Sequence, residues 1–342
     1  MRVAILIPNY VGFDSGAWVV RRQAEGLAAE GHYVAIFTLA ADLTAPGADL
    51  FVMGMPRASF WEKVYRLLFP LDLFKTARWL PRLKGFDVVI VHLYPLTWLG
   101  YLAKKVYGVC YTLWYHGIMD PQCFPRLYER VYIRLHILGT RLTVRNADRA
   151  VAVSRYAADE LTRYTGLESE VVYNRVELEG FHPGIDGTEV RERHCLGDDP
   201  VILFVGMLRP VKGVSLLIEA FNLVREQIPG ARLLIVGRPD YPYYFEELKR
   251  MGNGAVTFAG FVPREKLPAY YCTSDLYATC TLWETFNIPI VEAQACGTPV
   301  VAFDLGPHPE VVDQCGVLVE PRDIEGFARA CVDTLKRVRG TG

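Results

Sequence analysis

Apolar runs without polar alternation constrain this chain most. Val3 to Pro8 is uninterrupted, whereas a strand with one face in water would alternate. A loop from Asn9 to Gly16 follows, then a helical pattern from about Ala17 to Glu30 that stops at Gly31. The unit recurs, with strands expected at His32–Thr38, Asp49–Met53, Asp87–His92, Cys110–Tyr115 and Ala150–Val153. Strands of this kind separated by helices imply a parallel sheet covered on both faces.

Ser154 is placed to cap a helix running to about Tyr164, and Glu170–Tyr173 adds a strand. Between Glu179 and Asp199 the pattern lapses into Gly, Pro and charged residues, which reads as a linker. A second series then begins: strand Val201–Val205, helix Val214–Gln227, strand Arg232–Val236, a helix near Tyr244–Met251, and strands near Val256 and Asp275. With 342 residues, two domains are expected at ~150 residues each. The fold class is therefore α/β: two Rossmann-like, doubly wound domains, 1–180 and 200–342, joined by linker 181–199, with a cleft between them. Ligands of open parallel sheets bind at the carboxyl ends of the strands.

The net charge of −1 conceals an asymmetry, because residues 1–175 hold 21 Lys+Arg against 15 Asp+Glu and the remainder 16 against 23. The first half is the candidate for anionic partners. The eight cysteines include no C-x-x-C pair and no metal-ligand spacing. They read as reduced, small core residues of a cytoplasmic protein. The uncharged run Val88–Ala103 contains His92 and Pro95, so strand, turn and helix are expected rather than a membrane span, and the N-terminus begins directly on a strand.

The stretch 283–301 concentrates the chemistry. Glu284 and Glu292 stand with seven residues between them in an otherwise uncharged segment, the second at the start of a short helix that Gly297 and Pro299 end. A carboxylate-bearing loop leading into a helix N-terminus suits a ligand with both hydroxyls and phosphates. The plainer reading is a loop hydrogen bond for Glu284 and a helix-dipole contact for Glu292.

Phe204-Val-Gly206-Met-Leu-Arg209-Pro-Val-Lys212-Gly213, then Gly237, Phe258-Ala-Gly-Phe261-Val262, Glu-x7-Glu and Ala-x-Ala-Cys-Gly-Thr-Pro-Val-Val resemble the family 4 retaining glycosyltransferases of GT-B fold. Residues 200–320 carry most of the match. Pro8, Gly16, Gly31-His32, His116-Gly117, Val153-Ser154 and Asn174 through Phe181-His182-Pro183 carry a looser one.

The resemblance implies transfer of a hexose with retention from a UDP- or GDP-sugar to a lipid-linked, polysaccharide or small glycoside acceptor. Lys212 would face the diphosphate, with Gly206, Gly213 and Gly237 letting the backbone approach it. Arg209 would stand in for the cation the family carries where this chain has Met207. Glu292 would accept from ribose hydroxyls, Glu284 would contact the donor sugar, and backbone N–H groups of Phe286, Asn287 and Ile288 would cradle phosphate or sugar. Asn287 occupies a position where the family prefers Gly. Phe261 and Val262 fall where the nucleobase packs. Gly16 would approach the donor or acceptor, although the loop Gly12-Phe13-Asp14-Ser15-Gly16 lacks the family's paired glycines. His116 matches the active-site histidine. No Asp-x-Asp occurs, so no obligatory metal or other cofactor is expected. The competing functions are a sugar-nucleotide epimerase or hydrolase, and a nucleotide-sugar binding protein without catalysis. Nucleic acid is not an expected partner.

Residues 57–84 mix aromatics with seven basic and two acidic residues, and 126–149 add six arginines against two acids. Such segments suit an anionic membrane surface, here the inner face of the plasma membrane. The alternative is surface helices with apolar faces in the core. Members of that family commonly continue beyond the last strand with helices that cross back to the first domain, and this sequence stops soon after the expected helix Ile324–Arg337, so either a looser domain closure or a trimmed chain is expected.

Overall fold

A computed structural model describes residues 1–12, 15–56, 59–124, 126–174, 176 and 178–340; the side chains of 15, 59 and 60 are also outside the description. The chain forms two compact units, Met1–Arg175 and Val176–Gly342.

The first unit is built on seven strands: β1 (Arg2–Tyr10), β2 (Tyr33–Ala41), β3 (Asp49–Val52), β4 (Val88–Val91), β5 (Cys110–Tyr115), β6 (Arg149–Ala152) and β7 (Glu170–Val171). They pair in the order β3-β2-β1-β4-β5-β6-β7, all parallel. Its helices are α1 (Ser15–Ala29), α2 (Ser59–Leu68), α3 (Leu73–Trp79), α4 (Thr97–Tyr107), α5 (Leu127–Val144) and α6 (Arg155–Thr165). Val3 to Ile7 are all buried, with side chains divided between the two faces of the sheet. Burying each larger aliphatic side chain contributes ~2 kcal/mol, and this two-sided burial is why β1 shows no alternation.

The second unit carries β8 (Val201–Val205), β9 (Arg232–Val236), β10 (Val256–Gly260), β11 (Leu276–Thr279), β12 (Val300–Phe303) and β13 (Val317–Val319), ordered β10-β9-β8-β11-β12-β13 and parallel throughout. Its helices are α7 (Thr188–Arg193), α8 (Val214–Gln227), α9 (Pro242–Met251), α10 (Leu267–Thr273), α11 (Ile288–Ala295), α12 (His308–Val311) and α13 (Ile324–Arg339). Strand order reverses between β1 and β4 in one sheet and between β8 and β11 in the other. Loops diverge at such points and leave a crevice beyond the strands' carboxyl ends.

The segment 181–199, expected as a linker, belongs to the second unit. Phe181, Val190 and Leu196 are buried in the core with Tyr271 and Ile290, and the Arg191 guanidinium donates to the Gly197 and Thr273 carbonyls. The cysteines also depart from expectation. Cys280, Cys296 and Cys331 are buried, whereas Cys110, Cys195 and Cys315 are exposed. Among the described residues no helix is long and apolar enough to cross a membrane, and 88–103 forms β4, a turn and the start of α4.

Candidate functional site

In the second unit the turn after β8 is pressed against the loop after β11. Gly213 has φ +63°, and a Cβ there would lie 1.9 Å from the Cys280 carbonyl oxygen. The Leu282 N–H and Thr281 hydroxyl both donate to the Val211 carbonyl, at 2.8 and 3.2 Å. That register brings Lys212 Nζ onto Glu284 Oε1, an ion pair shielded from most solvent. An ammonium has three donors, so this contact leaves Lys212 with two more to offer. Arg209 extends from the same turn, its Nε 2.8 Å from Asp240 Oδ2. Gly237 has φ +146°, and a Cβ on it would lie 1.8 Å from the Gly206 carbonyl oxygen. Close backbone packing therefore already accounts for Gly213 and Gly237.

Asn287 adopts the left-handed conformation that glycine usually fills, with φ 65° and ψ 67°. Its side chain secures the turn: Nδ2 lies 2.9 Å from His308 Nε2, while His308 Nδ1 donates to the Phe303 carbonyl at 2.6 Å. Burial lowers the His308 pKa, consistent with a neutral ring accepting from the amide. Phe286 is buried beside this turn, and Ile288 opens α11.

Glu292 is the fifth residue of α11, past the first turn, which corrects its expected place at the helix start and removes the dipole reading. It is 2% exposed. Arg264, from the turn after β10, pairs with Oε1, and the Tyr271 hydroxyl donates to Oε2 at 2.8 Å. Burial and the Glu292 charge push the Tyr271 pKa well up, so the phenol stays a donor. The Arg264 guanidinium also lies 5.0 Å from the Phe181 ring centroid. Val262 is buried beyond β10, whereas Phe261 is 62% exposed.

In the first unit His116 follows β5 and His92 follows β4. His92 Nδ1 and His116 Nε2 are 2.7 Å apart, and His92 Nε2 lies 2.9 Å from Gln23 Oε1 on α1. With Gln23 accepting, His92 Nδ1 accepts from His116 Nε2–H, and His116 Nδ1 is left as an acceptor. Turning the Gln23 amide over reverses the polarity of the whole chain. Both rings are neutral in either case: burial lowers His116 to about 4 and, with its neighbour's help, His92 well below the usual value. Glu160 on α6 is buried and braces the His116 loop from both sides, accepting from Tyr115 Oη at 2.6 Å and Ile118 N at 2.7 Å. Gly16 is the second residue of α1; Phe13 and Asp14 of the same loop lie outside the described residues.

The structure thus brings Lys212 to Glu284, carries Arg209 toward Asp240 and seats Glu292 on Arg264 and Tyr271. Gln23, His92, Glu160, Arg264, Tyr271 and His308 were given no site role in the sequence. His92, beside Pro95 at the end of an apolar run, had the one local signal, a polar ring where a strand ends.

Two doubly wound parallel α/β units in one chain are the architecture of a GT-B glycosyltransferase. Residues 16–179 match the family model described as Glycosyltransferase Family 4, and residues 199–337 that described as Glycosyl transferases group 1. D-inositol 3-phosphate glycosyltransferase of Kribbella flavida is 30% identical over 332 residues, covering 89% of this chain and 78% of that protein. The chain belongs to glycosyltransferase family 4.

The enzyme of the same name from Mycobacteroides abscessus is 34% identical over 60% of this chain and 48% of its own length. A GDP-mannose-dependent alpha-(1-6)-phosphatidylinositol monomannoside mannosyltransferase of Mycolicibacterium smegmatis is 33% identical over 56% and 53%. The chain thus spans about half the length of these two curated relatives. Among solved structures, sucrose-phosphate synthase of Thermosynechococcus elongatus superposes with a TM-score of 0.80 at 22% identity, covering 99% of this chain and 94% of that one. Anabaena Alr3699/HepE in complex with UDP and glucose gives 0.79 at 20%, covering 100% and 91%. These likenesses establish the GT-B fold.

Proposed function

We propose that this chain transfers a hexose, with retention of configuration, from a nucleotide diphosphate sugar to a glycan, lipid-linked or cyclitol acceptor. The observation that carries the reading is the Lys212–Glu284 pair at the strand-order reversal between β8 and β11, with Glu292 seated one helix further on. Lys212, already held against one carboxylate, uses its remaining donors on the diphosphate, and Arg209 adds a second cation. Glu292 receives the ribose hydroxyls, and Glu284 the hydroxyls of the donor sugar. His116, neutral and oriented by His92, supplies a hydrogen bond to a substrate hydroxyl.

In the reaction the bond from C1 to the β-phosphate oxygen breaks and the bond from C1 to the acceptor oxygen forms on the same face. The acceptor's proton passes to the departing phosphate oxygen. Lys212 and Arg209 balance the charge that grows there, a stabilisation of ~3 kcal/mol per well-placed group. Because protein cations supply that charge, no metal is required in this scheme. A UDP-sugar is supported by the Anabaena complex and a GDP-sugar by the mycobacterial relative; the cyclitol phosphate joins the acceptors through the relative from Kribbella flavida.

Turnover with UDP- and GDP-hexoses, with and without EDTA, tests the reading when the product anomer is assigned by NMR. Retention and indifference to EDTA are expected. An inverted product excludes the same-face route, and hydrolysis or epimerisation at full rate without acceptor excludes transfer.

A further inference from the structure

We propose that the exposed face of α5, with the neighbouring tip of α2 and α3, docks this protein onto an anionic phospholipid surface. The exposed positions of α5 are Leu127, Tyr128, Val131, Arg134, Leu135, Leu138, Arg141 and Leu142, followed by Arg145 just past its end. At 3.6 residues per turn they share one face about 140° wide. The composition of that face is unusual: six apolar residues and three arginines, with no acid, amide or small hydroxyl. Leu127 and Leu142 are 73% and 63% exposed. A helix facing only water carries charged and amide groups instead.

The face extends beyond one helix. Tyr94 ties α2 to the middle of α5, donating from its hydroxyl to the Leu67 carbonyl while its ring packs on His136. Past that contact Leu68, Leu71, Leu73 and Phe74 are all exposed, Phe74 at 78%, and Trp61 lies two turns back on the Leu68 side of α2. The core reading of 57–84 holds in part, since Phe69, Trp79 and Leu83 are core residues. Arg57 lies outside the described residues.

Charge selects the occupant. The acids of these segments are engaged with neighbours: Glu62 with Arg66, Asp72 with the Lys75 N–H and Tyr65 hydroxyl, Glu129 buried near Lys63, and Asp148 with Lys104 and the Tyr111 N–H. Among the described residues Arg134 and Arg141 have no carboxylate partner. A face that is apolar along its length and cationic along one border matches acyl chains beneath anionic phosphates. A second copy packed antiparallel on this face would instead set arginine against arginine.

Sedimentation of the full chain with phosphatidylcholine vesicles, with or without about a third of phosphatidylglycerol as the anionic lipid, tests the proposal. Binding to the anionic vesicles alone is expected, falling as salt rises. Arg134→Glu with Arg141→Glu weakens it more than tenfold (an estimate from ~1 kcal/mol per basic residue), and Leu135→Ser with Leu138→Ser does so independently. Circular dichroism and the unfolding midpoint verify that these surface variants fold. Tryptophan emission shifts to the blue on binding and is quenched by brominated lipid, and both changes shrink in Trp61→Phe. Equal binding to both vesicles, or to neither, overturns the proposal. So does concentration-dependent dimerisation that the Leu→Ser pair abolishes, which would make the face a self-association surface.

Discussion

The two units hold their polar groups in opposite ways. The second sets charge against charge: Lys212 on Glu284, Arg264 on Glu292 and Arg209 beside Asp240. The first sets neutral against neutral, with His92, His116 and Gln23 in a hydrogen-bonded chain at the carboxyl ends of β4 and β5. Pairs of opposite charge keep the cations of the second unit from repelling one another, and Lys212 retains two donors beyond its bond to Glu284. A neutral relay gives direction instead, because one amide sets the polarity of two rings. The contrast fits charge balance in the second unit and orientation in the first.

The most damaging change expected is Gly213→Ala. The clash with the Cys280 carbonyl and the positive φ together destabilise the second unit by more than about 3 kcal/mol. Gly31→Ala, also at positive φ but with no atom within 4 Å of the new Cβ, loses only about 1 kcal/mol. Denaturant unfolding of both variants measures the difference; equal losses would mean that the Lys212 turn is not clamped.

Next comes Lys212→Met, which keeps the stem and removes the charge. A fall in kcat of ~100-fold, about 3 kcal/mol, is expected with little change in unfolding midpoint. If kcat holds and only stability drops, Lys212 is a structural partner of Glu284 and nothing more.

The smallest effect is the sharpest test of the neutral relay. A histidine near 6.5 in the unfolded chain and about 4 in the fold takes up its proton on unfolding, so stability is full above pH 6.5 and falls toward pH 4. The loss is about 1.4 kcal/mol per pH unit for each such ring. His92→Gln should reduce the slope of unfolding free energy against pH between 6.5 and 5 by about one proton, and an unchanged slope would mean that the relay is charged.

Most of the architecture was legible because two-sided burial writes unbroken apolar runs, as in Val3–Ile7, and because Lys212-Gly213 sits where a strand must turn into a helix. What escaped notice has a common cause. Glu292 meets Arg264 across 28 residues, and His92 meets Gln23 across 69. Such partners are chosen by sheet order, which leaves no local periodicity. Phe181, Val190 and Leu196 were hidden among glycines, prolines and charges, so a packed segment looked like a linker. The α5 face was readable as composition, but only the fold distinguishes Leu127 from Val144, one exposed and the other buried.

Calorimetric titration of UDP, GDP and ADP, each with and without magnesium, into the wild type and Glu292→Ala tests the donor site most directly. One nucleotide should bind without metal, and the substitution should weaken it at least tenfold, about 1.4 kcal/mol, with the unfolding midpoint confirming a folded variant. Failure of all three to bind at millimolar concentration, or equal binding to both proteins, would contradict the assignment of the second unit as the nucleotide-sugar site.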